Sequence, residues 1–306
     1  MAQSITLTAS MRSNLASLKS IQSQMDTTQE RLSTGKKVNS AIDNASSYYQ
    51  SRALTNRASD LSSLLDSMGQ GIQTIQAANE GLESLTSYVE QMKAVADTAA
   101  TLAKVEKPTG TRPGDAGPAQ DAWDAQKTAY DSYVKELESY QNQFNAIRAQ
   151  AEKLINDTSY QGINLLKGQK LTVVFNESRG NSLDVQVDSL LGDKGIDILK
   201  ADVNWTVDGG ATAKTTVDQA ISAVTAGMTK LRSVSSELGN TYSIIQTRQE
   251  FTEALIDVLE TGADNLVLAD MNEESANYLA LQTRQQLAIN SLSLASQSAQ
   301  SVLQLF

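Results

Sequence analysis

Catalysis and metal binding need groups that can carry a proton, coordinate an ion or attack a carbon, and this sequence is poor in them. Its 306 residues include no histidine and no cysteine. Histidine is the usual proton carrier near neutral pH and the commonest metal ligand. Without it, a zinc-hydrolase motif of the HExxH type cannot be written. Without cysteine there are no disulfides and no thiol chemistry. The carboxylates group at Glu273-Glu274, Asp184/Asp188 and Asp193/Asp197. Such groupings could share a proton or hold Ca2+, but their default reading is solvated surface. Trp123, Tyr130, Leu137, Phe144 and Ala151 step by seven, as do Tyr133, Tyr140, Ile147 and Leu154. This aromatic stripe could line a ligand groove; at helical spacing it reads as core. The net charge of −10 argues against a nucleic-acid groove and against attraction to an anionic membrane. No enzyme activity, cofactor or metal is expected.

The strongest pattern lies instead at the two ends. Gln285 to Phe306 contain no Asp, Glu, Lys, Arg, Gly or Pro. Leu281, Ala288, Ala295 and Val302 recur every seven, as do Leu292, Ala299 and Phe306. Together the series step by four and three, the seam of one helix against another. Leu287, Ile289, Leu294 and Leu303 lie off that seam, so the helix is apolar on more than one side and one partner cannot cover it. Gln, Ser and Asn are too frequent for a membrane span, and no membrane insertion is expected. At the other end Met11, Leu18, Met25 and Leu32 recur every seven, with Leu7, Leu15 and Ile21 beside them. Burial within one chain does not offset the backbone entropy of ordering about 40 terminal residues. The two ends are therefore expected to be loose in the monomer and to order on assembly between copies.

Between the ends the chain reads as long helices that fold back on themselves. Gly35 followed by Lys36-Lys37 is a helix stop, and Val38 to Asn44 a connector, with Asp43 or Asn44 as the next cap. Leu54, Leu61, Met68, Ile75, Leu82, Val89, Ala96 and Ala103 keep the seven-residue step over about 75 Å of helix. Gly69, Gly71 and Gly81 inside it mark either close backbone approach or tolerated cost. Pro108, Pro113 and Pro118 fall in one exposed loop. After the aromatic helix, Asn156 to Gly168 is rich in turns. Gln169 to Glu177 reads as a strand, and Leu183, Val185 and Val187 as a half-buried return strand. Val203, Trp205 and Val207 suggest a third. A last rod from near Thr215 repeats at Val217, Val224, Leu231, Leu238, Ile245, Thr252, Leu259 and Leu266, with Ile221, Met228, Tyr242 and Ile256 as its alternate seam. The fold class is mainly α: long antiparallel coiled-coil-like rods formed by the N- and C-terminal halves, with a small β-hairpin region in the middle.

Three stretches carry a resemblance to a known family. Arg31-Leu32-Ser33-Thr34-Gly35-Lys36-Lys37-Val38-Asn39-Ser40-Ala41-Ile42-Asp43-Asn44-Ala45 resembles the N-terminal signature of bacterial flagellins. Ala269-Asp270 through Phe306 is similar to the flagellin C-terminus, with Gln285-Gln286 at its centre and Val302-Leu303-x-Leu305 near its close. Asn156 to Leu166 is similar to the stretch leading into the family's hairpin. The resemblance implies a subunit of the flagellar filament, short and without large outer domains. It would be secreted through the flagellar type III export apparatus with an export chaperone, and would join hook-associated and cap proteins. The start MAQSITLTAS lacks a basic segment and an apolar run, so no cleaved signal peptide is expected.

On this reading residues 1–40 and 264–306 are the inner filament helices. Residues 41–168, with the loop at 107–120, are the N-terminal rods, 169–213 the hairpin region, and 214–263 the C-terminal rod. The polymerisation seams are Met11, Leu15, Leu18, Met25, Leu32, Leu281, Ala288, Leu292, Ala295, Ala299, Val302 and Phe306. The family's innate-immune recognition site, near QRVRELA, falls on Glu90, Gln91, Met92, Lys93, Ala94, Val95 and Ala96. Gln91, Lys93 and Ala94 stand where the family has Arg, Arg and Glu, so the site is degenerate. The Asn-x-Ser/Thr triplets at Asn44, Asn156, Asn176 and Asn204 are accidental in such a protein. Rival readings are a hook–filament junction protein and a flagellin-like surface protein that binds polysaccharide or host cells.

Overall fold

The computed structural model describes residues 9–102, 105–114, 116–191, 195–199, 202–205 and 210–303. In chain order these form α1 (Ala9–Thr34), α2 (Ala45–Thr101), α3 (Pro118–Asp157), β1 (Leu171–Val174), β2 (Ser182–Val185), α4 (Gly210–Val267) and α5 (Met271–Leu303). Short 3-10 turns lie at Leu165–Lys167 and Asp197–Leu199. Contacts divide the chain into two compact units, Leu61–Glu253 and Met1–Asp60 with Ala254–Phe306.

In the Leu61–Glu253 unit, α2 and α4 are antiparallel: Ile75 shares a groove with Leu238 and Tyr242, and Leu82 one with Leu231. The seven-residue seam on α2 is buried at Leu61, Met68, Ile75, Leu82, Val89 and Ala96. On α4 it is buried at Val217, Val224, Leu231, Leu238 and Ile245. The alternate seam of α4 runs one residue earlier than the spacing of the large side chains suggests. Ala220, Gly227 and Val234 face inward, while Ile221, Met228 and Tyr242 flank them half-buried. Gly227 there leaves room for Ile196, whose Cγ2 lies 2.8 Å from the position of an added Cβ. The α3 stripe joins this core through Tyr133, Leu137, Phe144, Ala151 and Ile155. The aromatic residues are therefore packing, with Phe144 against Trp205 at a centroid distance of 5.3 Å.

The hairpin is shorter than its sequence pattern. β1 pairs antiparallel with β2, Leu171 opposite Val185 and Val174 opposite Ser182. Val187 lies past the strand end and is still buried. The hairpin rests on α2 at Gly71, where an added Cβ would lie 2.8 Å from Val173 Cγ2. Gly81 likewise leaves room for Thr158, 2.6 Å from the position of an added Cβ. Nothing lies within 4 Å at Gly69, so close approach explains two of these three glycines and not that one.

Two sequence expectations are corrected. Val203 and Trp205 do not belong to a third strand. The backbone of 202–205 is held by α3 side chains instead of a ladder. The Asn145 amide accepts from Val203 N at 3.0 Å and donates to Val203 O at 3.0 Å, and Gln141 Oε1 accepts from Trp205 N at 2.6 Å. Arg148 completes the clamp, donating to Leu199 O at 3.0 Å and pairing with Asp202. Val207 lies outside the described residues. The proline loop is exposed over most of its described length, but it ends earlier than expected, since Pro118 already belongs to the first turn of α3. Pro108 is buried, and Arg112 grips Asp124 on the second turn of α3 with two bonds, Nε to Oδ1 at 2.8 Å and Nη2 to Oδ2 at 2.5 Å.

Candidate assembly surface

In the Met1–Asp60 and Ala254–Phe306 unit, α1 and α5 pack as an antiparallel pair. Gln285 Nε2 donates to Gln22 Oε1 at 2.6 Å, and Arg31 Nη1 pairs with Glu274 Oε1 at 2.9 Å. Both helices stop where the sequence dictates. α1 ends at Gly35, whose φ of +71° is open to glycine and costly to other residues. α5 starts at Asp270, whose Oδ1 accepts from Asn272 N at 2.9 Å and Glu273 N at 3.2 Å, satisfying amides that have no helical partner. The two breaks are tied together. Lys37 N donates to Val267 O at 2.8 Å, and Ala269 N to Gly35 O at 3.0 Å. This accounts physically for the residues that identify the N-terminal signature: Gly35 makes the turn and its neighbours bridge to the other break.

The connector after it is built on Asp43. Its Oδ2 accepts from Ser40 N at 2.8 Å, Asn39 N at 3.0 Å and Ser40 Oγ at 3.1 Å. The Ser40 amide, then that of Asn39, hold the Asp43 carboxyl below its ordinary value. Asn44, not Asp43, caps α2, its Oδ1 accepting from Ser47 N at 3.1 Å.

Most of the described seam residues turn toward the α1–α5 contact. On α1, Met11, Met25 and Thr28 are buried, and Asn14, Leu18, Ile21 and Leu32 half-buried. On α5, Leu281 is buried and Ala288, Leu292 and Ala295 half-buried. Leu15 is the exception: it points outward, and Asn14 occupies the alternate position. Ala299 and Val302 lie on α5 with side chains outside the described residues, and Leu7 and Phe306 lie outside them entirely. The far side of α5 is apolar as well. Leu279, Leu287 and Leu294, eight and seven residues apart, keep 62%, 63% and 67% of their surface in solvent. Ile289 is half exposed beside the seam. One helix thus carries two apolar faces, and among the described residues only one of them is covered.

Sequence reasoning missed Arg31–Glu274, because adjacent glutamates read as surface. The signal was present: Glu274 stands seven residues before Leu281, inside the seam series.

Among the described residues no group of three or more His, Cys, Asp or Glu is placed to hold a metal ion. Asp184 is bonded to Lys170 and Thr172, which hold its carboxyl low, and Asp188 pairs with Lys230 at 3.2 Å. Asp193 lies outside the described residues. An open groove of about 760 Å³ between α2 and α4 is lined by the amides of Gln73, Gln76 and Asn79 with Glu80, Tyr160 and Ser235, and the Ser235 hydroxyl donates to Asn79 Oδ1 at 3.4 Å. The stretch from Glu90 to Ala96 lies on α2, with Met92 and Ala96 buried and Glu90, Gln91 and Ala94 exposed. Lys93 is engaged by Asp97 at 2.5 Å. No described helix is long and apolar enough to cross a membrane.

Comparison with known proteins agrees with this architecture. Residues 5–108 match the bacterial flagellin N-terminal helical region, and residues 216–306 the bacterial flagellin C-terminal helical region. Flagellin FljK of Caulobacter vibrioides is 29% identical over 99% of this chain and 98% of its own length. A flagellin of Brucella melitensis is 28% identical over 99% of both chains. Flagellin A of Rhizobium meliloti is 28% identical, also over 99% of both. The chain belongs to the bacterial flagellin family, in a short form without large outer domains, and is a structural filament subunit.

Proposed function

We propose that this flagellin polymerises through its terminal pair, in two layers of contact. The seam of Met11, Leu18, Met25, Leu32, Leu281, Ala288, Leu292 and Ala295 holds α1 to α5 within a copy. Leu279, Leu287 and Leu294 then join α5 to other copies, with Leu15 adding to the outward surface and Ala299, Val302 and Phe306 extending the pattern to the tip. The observation that carries this is the second, uncovered apolar face of α5. Exposed apolar surface in a regular stripe marks an interaction site, and each large side chain buried there contributes about 1.5–3 kcal/mol. Ordering of the tips is completed by these neighbours.

The site of action is the extracellular flagellar filament. Export is through the flagellar type III apparatus with a chaperone, and growth occurs beneath a cap on hook-associated proteins. The work is mechanical and not enzymatic. Glu90, Gln91, Lys93 and Ala94 form a degenerate immune-receptor site. Electron microscopy of purified protein, before and after seeding with sheared filaments, tests the reading. Seeded growth of long filaments is expected; a protein that stays monomeric or stops at short rings at high concentration is not the filament subunit.

A further inference from the structure

We infer that Arg31 and Glu274 set the register in which α1 and α5 pair, and through it whether copies can join; the second clause rests on the filament reading above. In the α5 series 274, 281, 288 and 295 the residues are Glu, Leu, Ala and Ala. The first position holds a carboxylate where the pattern calls for an aliphatic side chain. Its side chain is only 10% exposed and is answered by Arg31 from the flank of α1 at 2.9 Å. A leucine there would bury more apolar surface. A charged pair in place of apolar neighbours is often neutral or unfavourable for stability, while its best-attested benefit is register.

Register needs such a device in this pair. Both seams repeat every seven residues, so sliding α5 by one heptad puts Leu281 where Glu274 stands and Leu292 where Gln285 stands. Apolar contact alone discriminates weakly between those arrangements. The polar contacts do discriminate: a slide separates Arg31 from Glu274 and Gln22 from Gln285, leaving the Arg31 guanidinium against Leu281 without its carboxylate. The backbone bridge between Lys36 and Leu268 ties the helix ends, and the ion pair lies just inside it, resisting unwinding of the turns that a slide would consume. Register also fixes where Leu279, Leu287 and Leu294 stand along α1, and hence the shape offered to a second copy.

The test uses full-length protein. Because the chain has no cysteine, an introduced pair supplies its only thiols. Q22C/Q285C reports the native register and Q22C/L292C a one-heptad slide, each read by the yield of a short bismaleimide cross-link. The parent is expected to link the first pair only. R31L/E274L should melt at the parent's temperature or above, yet divide its links between both pairs, and should need about tenfold more protein for seeded growth. The swap R31E/E274R should restore both readouts. A leucine variant that keeps the parent's links overturns the inference, since the bridge alone then sets register. Native links with lost growth also overturn it, placing Glu274 in contact with another copy while leaving the filament reading intact. If the links shift as expected but the parent never polymerises, the register assignment stands and the filament reading fails.

Discussion

Asp43 stands in solvent, and its carboxylate is lowered by hydrogen bonds, first from the Ser40 amide and then from that of Asn39. A lowered value in the fold gives the sign directly. The contribution of the charged group is complete above the ordinary carboxylate range, about 3.9, and fades as pH falls through the lower folded value. The connector between α1 and α2 is therefore expected to loosen in acid. The Asn39 and Ser40 amide shifts should titrate together, with a midpoint below that of an ordinary aspartate, and D43N should abolish this titration. A midpoint at or above the ordinary value contradicts the assignment. The receptor-site residues make a second prediction at this scale. Gln91 and Lys93 cannot reproduce the planar fork of arginine, and Lys93 is already engaged by Asp97. The parent should activate reporter cells weakly, and Q91R/K93R/A94E should raise potency at least about tenfold, as several charge-assisted bonds would. Full potency in the parent removes the basis for calling the site degenerate.

Among the elements, periodic segments were legible and polar ones were not. The α2 and α4 seams follow from spacing alone, because a sustained seven-residue repeat has one helical solution. The alternation of Val203, Trp205 and Val207 looked like a strand because extended backbone and one-sided burial are what alternation encodes. Which groups satisfy that backbone is not encoded there: Gln141 and Asn145 do so from α3, more than fifty residues away. The same holds for Arg112, which ties a proline-rich loop to Asp124 and is unremarkable in sequence. Glycines were half legible. A glycine inside a helix signals either close approach or tolerance, and only the packing separates Gly71, under Val173, from Gly69, which faces open space. The difference is measurable. G71V should destabilise the protein by about 1–3 kcal/mol through overpacking, whereas G69A should stabilise it by up to about 1 kcal/mol through helix propensity. Urea unfolding followed by helical signal reads both. Equal effects at the two positions contradict the contact assigned to Gly71.

At the scale of the whole molecule, the two apolar faces of α5 divide the assembly problem into separable parts. The seam was legible from its heptads, and so was the existence of surface beyond it; which residues share that outer side needed the pairing with α1. An aspartate at Leu18 or Leu292 puts a charge into the intrachain seam. The α1–α5 pair should weaken, amide protection of both helices in the free chain should fall, and filaments should disappear because the outer stripe is no longer held in place. An aspartate at Leu287 or Leu294 leaves the seam untouched. Protection in the free chain should match the parent, while the concentration needed for seeded growth rises at least about tenfold for the lost burial. All four variants should leave the Leu61–Glu253 unit folded, since none of these side chains belongs to its core. If L287D and L294D polymerise like the parent while L18D and L292D do not, the outer stripe is not the contact between copies. The apolar surface that drives assembly must then be sought nearer the tips.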